Sequence, residues 1–303
     1  MRRFVFILTL LFACSTGFAQ ESGPRVLVVT AHPDDESGFA ATIYKITHDL
    51  HGVVDVALIT NGEGGYKYST LAEAYYGLDL TDEKVGRQYL PTIRKQELMN
   101  AGKILGVHNF YFFDQKDNRY MLSAHEALDS VWDTVLIQQR LHDILIAGNY
   151  DFIFTLMPID STHGHHKGAT ISALSAVSKL TGVRKPILLA GTISRKGDTA
   201  TNQFHVLHDY PITELDRSAP FFRFDRTTKF GYRNIMDYKI VVNWEIAEHK
   251  SQGTVQLGMS MGDYEDFYYY RLNDPSGIEK TKKLFADLAV LHFKQRTYLN
   301  EIK

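Results

Sequence analysis

Three side chains able to hold a metal or move a proton, His32, Asp34 and Asp35, crowd one short run of this chain, Thr30-Ala31-His32-Pro33-Asp34-Asp35. A second run, Asp160-Ser161-Thr162-His163-Gly164-His165-His166, puts three histidines within four positions. Imidazole and carboxylate are the ligands of a hydrolytic zinc, which takes three protein ligands, keeps one position open and lowers the pKa of its water towards neutrality. Together the two runs can supply that number. Amide hydrolysis further needs a base, charge stabilisation at the carbonyl oxygen and an acid for the departing nitrogen. The Asp and His residues left over are candidates for those tasks.

Such chemistry requires elements that bring two distant loops together. The apolar run 26–30 ends at His-Pro-Asp-Asp and gives way to helical spacing, the pattern of a buried strand, a turn and a helix start. Further strands are predicted over 53–60, 109–113, 152–156 and 186–190, and helices over 36–51, 92–105, 124–147 and 166–180. Alternating strands and helices imply a mostly parallel sheet covered on both faces, a Rossmann-like three-layer α/β sandwich, here with a C-terminal α/β extension. With strand order 3-2-1-4-5, the first and fourth strands are neighbours at the switch point, where ligands bind beyond the carboxyl ends. That order sets the two loops side by side.

The rest of the chain narrows the function. Residues 1–19 read as a signal peptide: Arg2 and Arg3, an apolar stretch too short to span a bilayer, and small residues before Gln20. This predicts an exported protein, periplasmic or extracellular, with residues 20–303 as one domain. Cys14 offers the alternative of a lipid anchor. As the only cysteine it leaves no disulfide to hold the fold. A formal net charge of −2 without a basic run excludes the electrostatic footprint of a nucleic-acid binder. No second apolar stretch is long enough to span a membrane, and the oligomeric state stays open. Gly258-Met259-Ser260-Met261-Gly262 matches a serine nucleophile elbow, but the preceding 252–257 is at best a weak strand.

The run Ala31-His32-Pro33-Asp34-Asp35-Glu36, followed by the histidine loop, resembles the PIG-L/LmbE family of zinc-dependent de-N-acetylases. Thr60-Asn61-Gly62-Glu63-Gly64, Arg94-Lys95-Gln96-Glu97, Leu105-Gly106-Val107, Asp114 and His249-Lys250-Ser251-Gln252 extend the resemblance in the family's order. The resemblance implies that His32, Asp35 and His166 bind Zn²⁺, with Fe²⁺ the alternative. It implies Asp34 as general base and His163 as the residue that stabilises the oxyanion and protonates the amine. Arg94 would grip the substrate, Asp114 would orient a histidine, with Asp160 a second candidate, and His249 would have either an active-site or a structural role. The substrate would be an N-acetylated amino sugar or glycoconjugate.

This chain departs from the family pattern at His165, where many relatives carry aspartate, and at Ser161, where some carry tyrosine. A tyrosine from the loop Tyr66 to Tyr76 is the expected substitute, and His165 is expected to cap the helix or face solvent. Competing readings are plain ones. Asp35 could merely cap the next helix, and Arg94 with Glu97 could be a surface pair. Segment 65–90 reads as a functional lid, and Phe267-Tyr268-Tyr269-Tyr270 as either a stacking wall for sugar rings or ordinary packing. A secreted carbohydrate-binding protein without activity, or a hydrolase of another amide or ester, are the alternatives.

Overall fold

A computed structural model describes residues 23–198 and 203–291. The leader expected over 1–19, with Cys14, lies outside the described residues.

Seven strands form one sheet in the order β3-β2-β1-β4-β5-β7-β6. They are β1 Arg25–Thr30, β2 Val53–Thr60, β3 Asn109–Gln115, β4 Phe152–Leu156, β5 Ile187–Ser194, β6 Phe222–Asp225 and β7 Tyr264–Tyr269. The first five are parallel; β7 runs antiparallel to β5, and β6 antiparallel to β7. The helices are α1 Ala40–His48, α2 Ala72–Tyr76, α3 Glu83–Leu105, α4 Thr134–Gly148, α5 Gly164–Ser178, α6 Lys239–Glu248, α7 Gly253–Gln256 and α8 Gly277–Ala289. The three-layer, mostly parallel sandwich and its order around β1 and β4 match the sequence reading. Among the described residues no helix is long and apolar enough to cross a membrane.

The two faces follow from strand alternation. Val26 and Val28 of β1 join Ile43 of α1, Leu105 of α3 and Ile246 of α6 in one core. Leu27 and Val29 join Leu141 of α4 and Leu174 of α5 in the other. A central parallel strand buried on both sides must therefore be apolar at every position, which is why β1 reads as an unbroken run.

Several boundaries differ from the sequence reading. The helix expected from 92 begins at Glu83, where Asp82 accepts the Val85 N–H at 2.9 Å. Pro91 looks like a helix start, yet lies inside it. Segment 65–90 is built rather than structureless, holding a 3-10 turn Glu63–Tyr68 and α2. The weak strand at 252–257 is α7. Phe267, Tyr269 and Tyr270 are buried, so ordinary packing accounts for that aromatic run.

Candidate active site

Residues Val26 to Val29 of β1 lie opposite Phe152 to Thr155 of β4, so the loops after these strands emerge together. A cavity of about 430 Å³ opens over them, within the roughly 300–1,000 Å³ of small-molecule sites. Its wall carries His32, Asp34, Asp35, His163 and His166 from the two loops, with Arg94, Asp117, Tyr68 and Tyr120 from flanking segments.

Asp35 organises the first loop. Its Oδ2 accepts the backbone N–H groups of Ala31 and His32 at 2.9 and 2.8 Å, which ties the carboxylate back to the strand end instead of capping the following helix. Its other oxygen lies 3.1 Å from His166 Nε2, which lies 3.0 Å from His32 Nδ1, and the third edge, His32 Nδ1 to Asp35 Oδ2, is 3.8 Å. Atoms bound tetrahedrally to one ion at about 2.0–2.1 Å stand roughly 3.3 Å apart. The triangle fits. Two imidazoles and one carboxylate suit Zn²⁺ or Fe²⁺.

The outer ring nitrogens have partners that leave the inner ones bare. His166 Nδ1 is 3.0 Å from Thr162 Oγ1, so an N–H donated there frees Nε2. His32 Nε2 is 3.2 Å from His165 Nδ1, and His165 Nε2 is 3.2 Å from Asn118 Oδ1. One tautomer set satisfies both contacts, with His32 donating to His165 and His165 to Asn118; it presents His32 Nδ1 as a lone pair. Asp117 stands beside this chain, its Oδ2 3.9 Å from His32 Nε2; its Oδ1, 3.3 Å from His165 Nδ1, accepts an N–H only in the other His165 tautomer, with Nδ1 protonated.

Charge follows the geometry. Burial opposes ionisation of Asp35, but the charge and hydrogen bonds of His166 and His32 hold its carboxyl well below the ordinary value. Asp117 is likewise lowered against burial, by His165, His32 and Arg94. Burial pushes His163 down to about 3, and His32, His165 and His166 add to it. His163 is thus a neutral imidazole, its Nε2 3.1 Å from the Arg119 carbonyl oxygen and its Nδ1 accepting the His165 N–H at 3.3 Å. Asp34 moves the other way: burial raises its pKa, while Arg94 pulls against the rise.

Four residues singled out in the sequence, Asp114, Asp160, His165 and His249, lie away from where an active-site or solvent-facing role would put them. Asp114 is 59 % exposed and pairs with Lys95 on the surface. A register shift between Leu58/Thr60 and Phe112/Gln115 adds a residue to β3, and Asp114, at φ 58°, sits in it. Such a bulge reverses which side chains point inward, and the carboxylate at the site is Asp117. Asp160 is exposed as well, contributing only its carbonyl oxygen to Lys167 Nζ at 2.7 Å. His165 is fully buried, against Trp132 at 5.1 Å, and does not face solvent. His249 is fully buried behind the Asp34 turn, not on the cavity wall.

Arg94 and Glu97 are both buried and serve different partners. Arg94 donates to the Pro33 and Gly62 carbonyl oxygens at 2.8 and 2.5 Å and pairs with Asp34 Oδ2 at 3.0 Å. Glu97 accepts from Tyr76 and Ser251. Of the expected tyrosines, Tyr68 reaches the cavity, and Tyr120, overlooked in the sequence, joins it 4.9 Å from the His163 ring. Ser260 has a positive φ of 61° and bonds to Asn243, outside any strand-to-helix elbow.

Fold and cavity together define a Rossmann-like α/β protein with a histidine and aspartate site at its switch point. The PIG-L family model, described as GlcNAc-PI de-N-acetylase, matches residues 27–177, and the chain belongs to this family. It is 26 % identical over 197 residues to a probable N-acetyl-alpha-D-glucosaminyl L-malate deacetylase 2 of Bacillus cereus, covering 63 % of this chain and 80 % of the relative. The Bacillus subtilis protein of that name is 22 % identical over 220 residues, with 72 % and 90 % covered. Among solved structures, the A40926 pseudoaglycone deacetylase Dbv21 superposes with a TM-score of 0.55 at 17 % identity, covering 84 % of this chain and all of that one. The 4-carboxy-2-hydroxymuconate hydratase GalB of Pseudomonas putida does so at 0.50 and 16 %, with 83 % and 98 % covered. A deacetylase and a hydratase on one scaffold make these likenesses a statement about fold.

Proposed function

We propose that this chain is a divalent-cation-dependent hydrolase that removes the N-acetyl group from an N-acetylglucosamine-type sugar or glycoconjugate. The observation that carries the reading is the convergence of His32 Nδ1, His166 Nε2 and an Asp35 oxygen on the wall of a cavity that also holds Asp34. The family description and the deacetylase relatives support it.

His32, Asp35 and His166 would hold Zn²⁺, or Fe²⁺. A cation there polarises the amide carbonyl and lowers the pKa of a water molecule. Asp34 takes the proton of the attacking water, its carboxylate aimed by Arg94 at 3.0 Å. Burial favours the protonated form of Asp34 and Arg94 the ionised form, a balance suited to accepting a proton and returning it to the departing nitrogen. The resemblance gives that last task to His163, but a His163 held neutral does not suit it. His163, neutral near pH 7, offers an N–H to the developing oxyanion once it leaves the Arg119 carbonyl. The C–N bond breaks to give acetate and a free amine.

Acetate release from a panel of N-acetylated amino sugars by zinc-loaded protein tests the reading, with Asp34→Asn as control. The parent is expected to release acetate, and the variant to keep its zinc and run about 10²–10⁴-fold slower. A zinc-bound, folded parent that deacetylates nothing in the panel contradicts it. Export through a leader over 1–19, or a lipid anchor at Cys14, belongs to the same proposal; sequencing the mature N-terminus checks it.

A further inference from the structure

Asp34 carries an unusual backbone, φ 144° and ψ −14°. A non-glycine residue in such a region costs on the order of 1–3 kcal/mol and persists only where its surroundings over-determine it. Its carboxylate is fixed by Arg94 of α3. The backbone is fixed separately, since the Asp34 N–H donates to Glu36 Oε2 at 3.0 Å. Glu36 in turn has Oε1 2.7 Å from His249 Nε2, and the same nitrogen lies 3.1 Å from Glu245 Oε1, one turn earlier on α6. All three side chains are fully buried.

We propose that Glu36 and His249, backed by Glu245, are positioning residues that hold the Asp34 turn in its catalytic shape. A buried carboxylate is costly unless paired and hydrogen-bonded, so Glu36 can accept the Asp34 amide only because His249 stands against its other oxygen. His249 is itself anchored: the Ser251 N–H and hydroxyl, two residues on, donate to Glu97 of α3 at 2.8 and 2.6 Å. Arg94 lies one turn before Glu97 on that helix. One helix therefore secures both ends of Asp34, the carboxylate directly and the amide by way of α6. The short His249 to Glu36 contact and the lack of access from the cavity fit a hydrogen-bonded clamp, not a second metal site.

The inference rests on the proposed deacetylase reading for its kinetic arm alone. In full-length, zinc-loaded protein, Glu36→Ala and His249→Ala are expected to lower kcat about 10–100-fold with KM within about twofold and zinc retained, by analogy with other residues that orient a reacting group. His249→Gln, which restores a donor, recovers most of the loss and serves if the alanine variant does not fold. Combined with Asp34→Asn, His249→Ala adds no further loss, as coupled residues do not add. Independently of any substrate, exchange of the Asp34 amide hydrogen accelerates at least about tenfold in His249→Ala and in Glu36→Ala and stays near the parent rate in His249→Gln, while the amides of Val28 and Val29 keep the parent rate in all three. Unchanged exchange at Asp34 in the alanine variants, additive kinetic losses, or loss of a metal equivalent with His249 overturns the proposal. A parent without deacetylase activity overturns the functional reading instead, and the exchange data still decide the clamp.

Discussion

Asp35 and Glu36 are neighbours in sequence and belong to two different clusters. Asp35 meets His32 and His166 on the cavity wall, and Glu36 meets His249 and Glu245 in the interior. Both clusters are built of carboxylates and imidazole within 4.8 Å, so composition does not separate them. Access and bonding do. In the first, the outer ring nitrogens are engaged and bare lone pairs face the cavity; in the second, the one imidazole nitrogen in reach is hydrogen-bonded to both carboxylates. The first arrangement suits binding and the second suits holding.

The comparison can be sharpened at the ring behind the first cluster. Asp117→Asn removes the negative charge behind His32 and His165 and is expected to weaken zinc binding about 10–100-fold, read by competition with a chelator. Unaltered affinity would leave Asp117 a structural residue only.

A smaller effect distinguishes the interior cluster by pH. Burial, with Glu36 adding to it, raises Glu245 from 4.5 to about 8. Between those values the folded protein holds a proton that the unfolded chain has lost, so stability falls as pH rises, by at most about 1.4 kcal/mol per pH unit. His249 acts in the same direction. Burial lowers its pKa but Glu36 and Glu245 raise it well above 6.5 overall, so its contribution is complete below 6.5 and lost as pH rises through the folded value. Glu245→Gln should flatten the dependence of Tm on pH across the window from 4.5 to about 8. A slope equal to the parent's would mean that Glu245 is already ionised in the folded state.

The smallest effect is expected at Asp114, outside both clusters. Its exposed pair with Lys95 is of a kind worth about 0–1 kcal/mol, so Asp114→Ala should leave acetate release within about twofold of the parent. A large loss would return Asp114 to the site.

These contrasts also explain what could be read from the chain. His32, Asp34, Asp35, His163 and His166 were legible because each group is local, and the apolar runs of β1 and β4 fix which loops meet. Asp117 was not, because a bulge in β3 decides whether an aspartate three positions earlier or later faces inward, and alternation carries no sign of it. His165 escaped because α5 is buried nearly all round, so no polar face marks which histidine lies inside. Of the clamp only His249 was marked: Glu245, one turn before it, carries no signal beyond helical spacing, and Glu36 comes from the far end of the chain. The fold, by contrast, needs only the repeating alternation of strand and helix.

The most direct test of the contrast is the zinc content of the purified, loaded full-length chain and two variants, His166→Ala and His249→Ala. One zinc per chain in the parent and in His249→Ala, with almost none in His166→Ala, is the predicted result. Zinc retained in His166→Ala, or lost in a folded His249→Ala, would contradict the division into a binding cluster and a holding cluster.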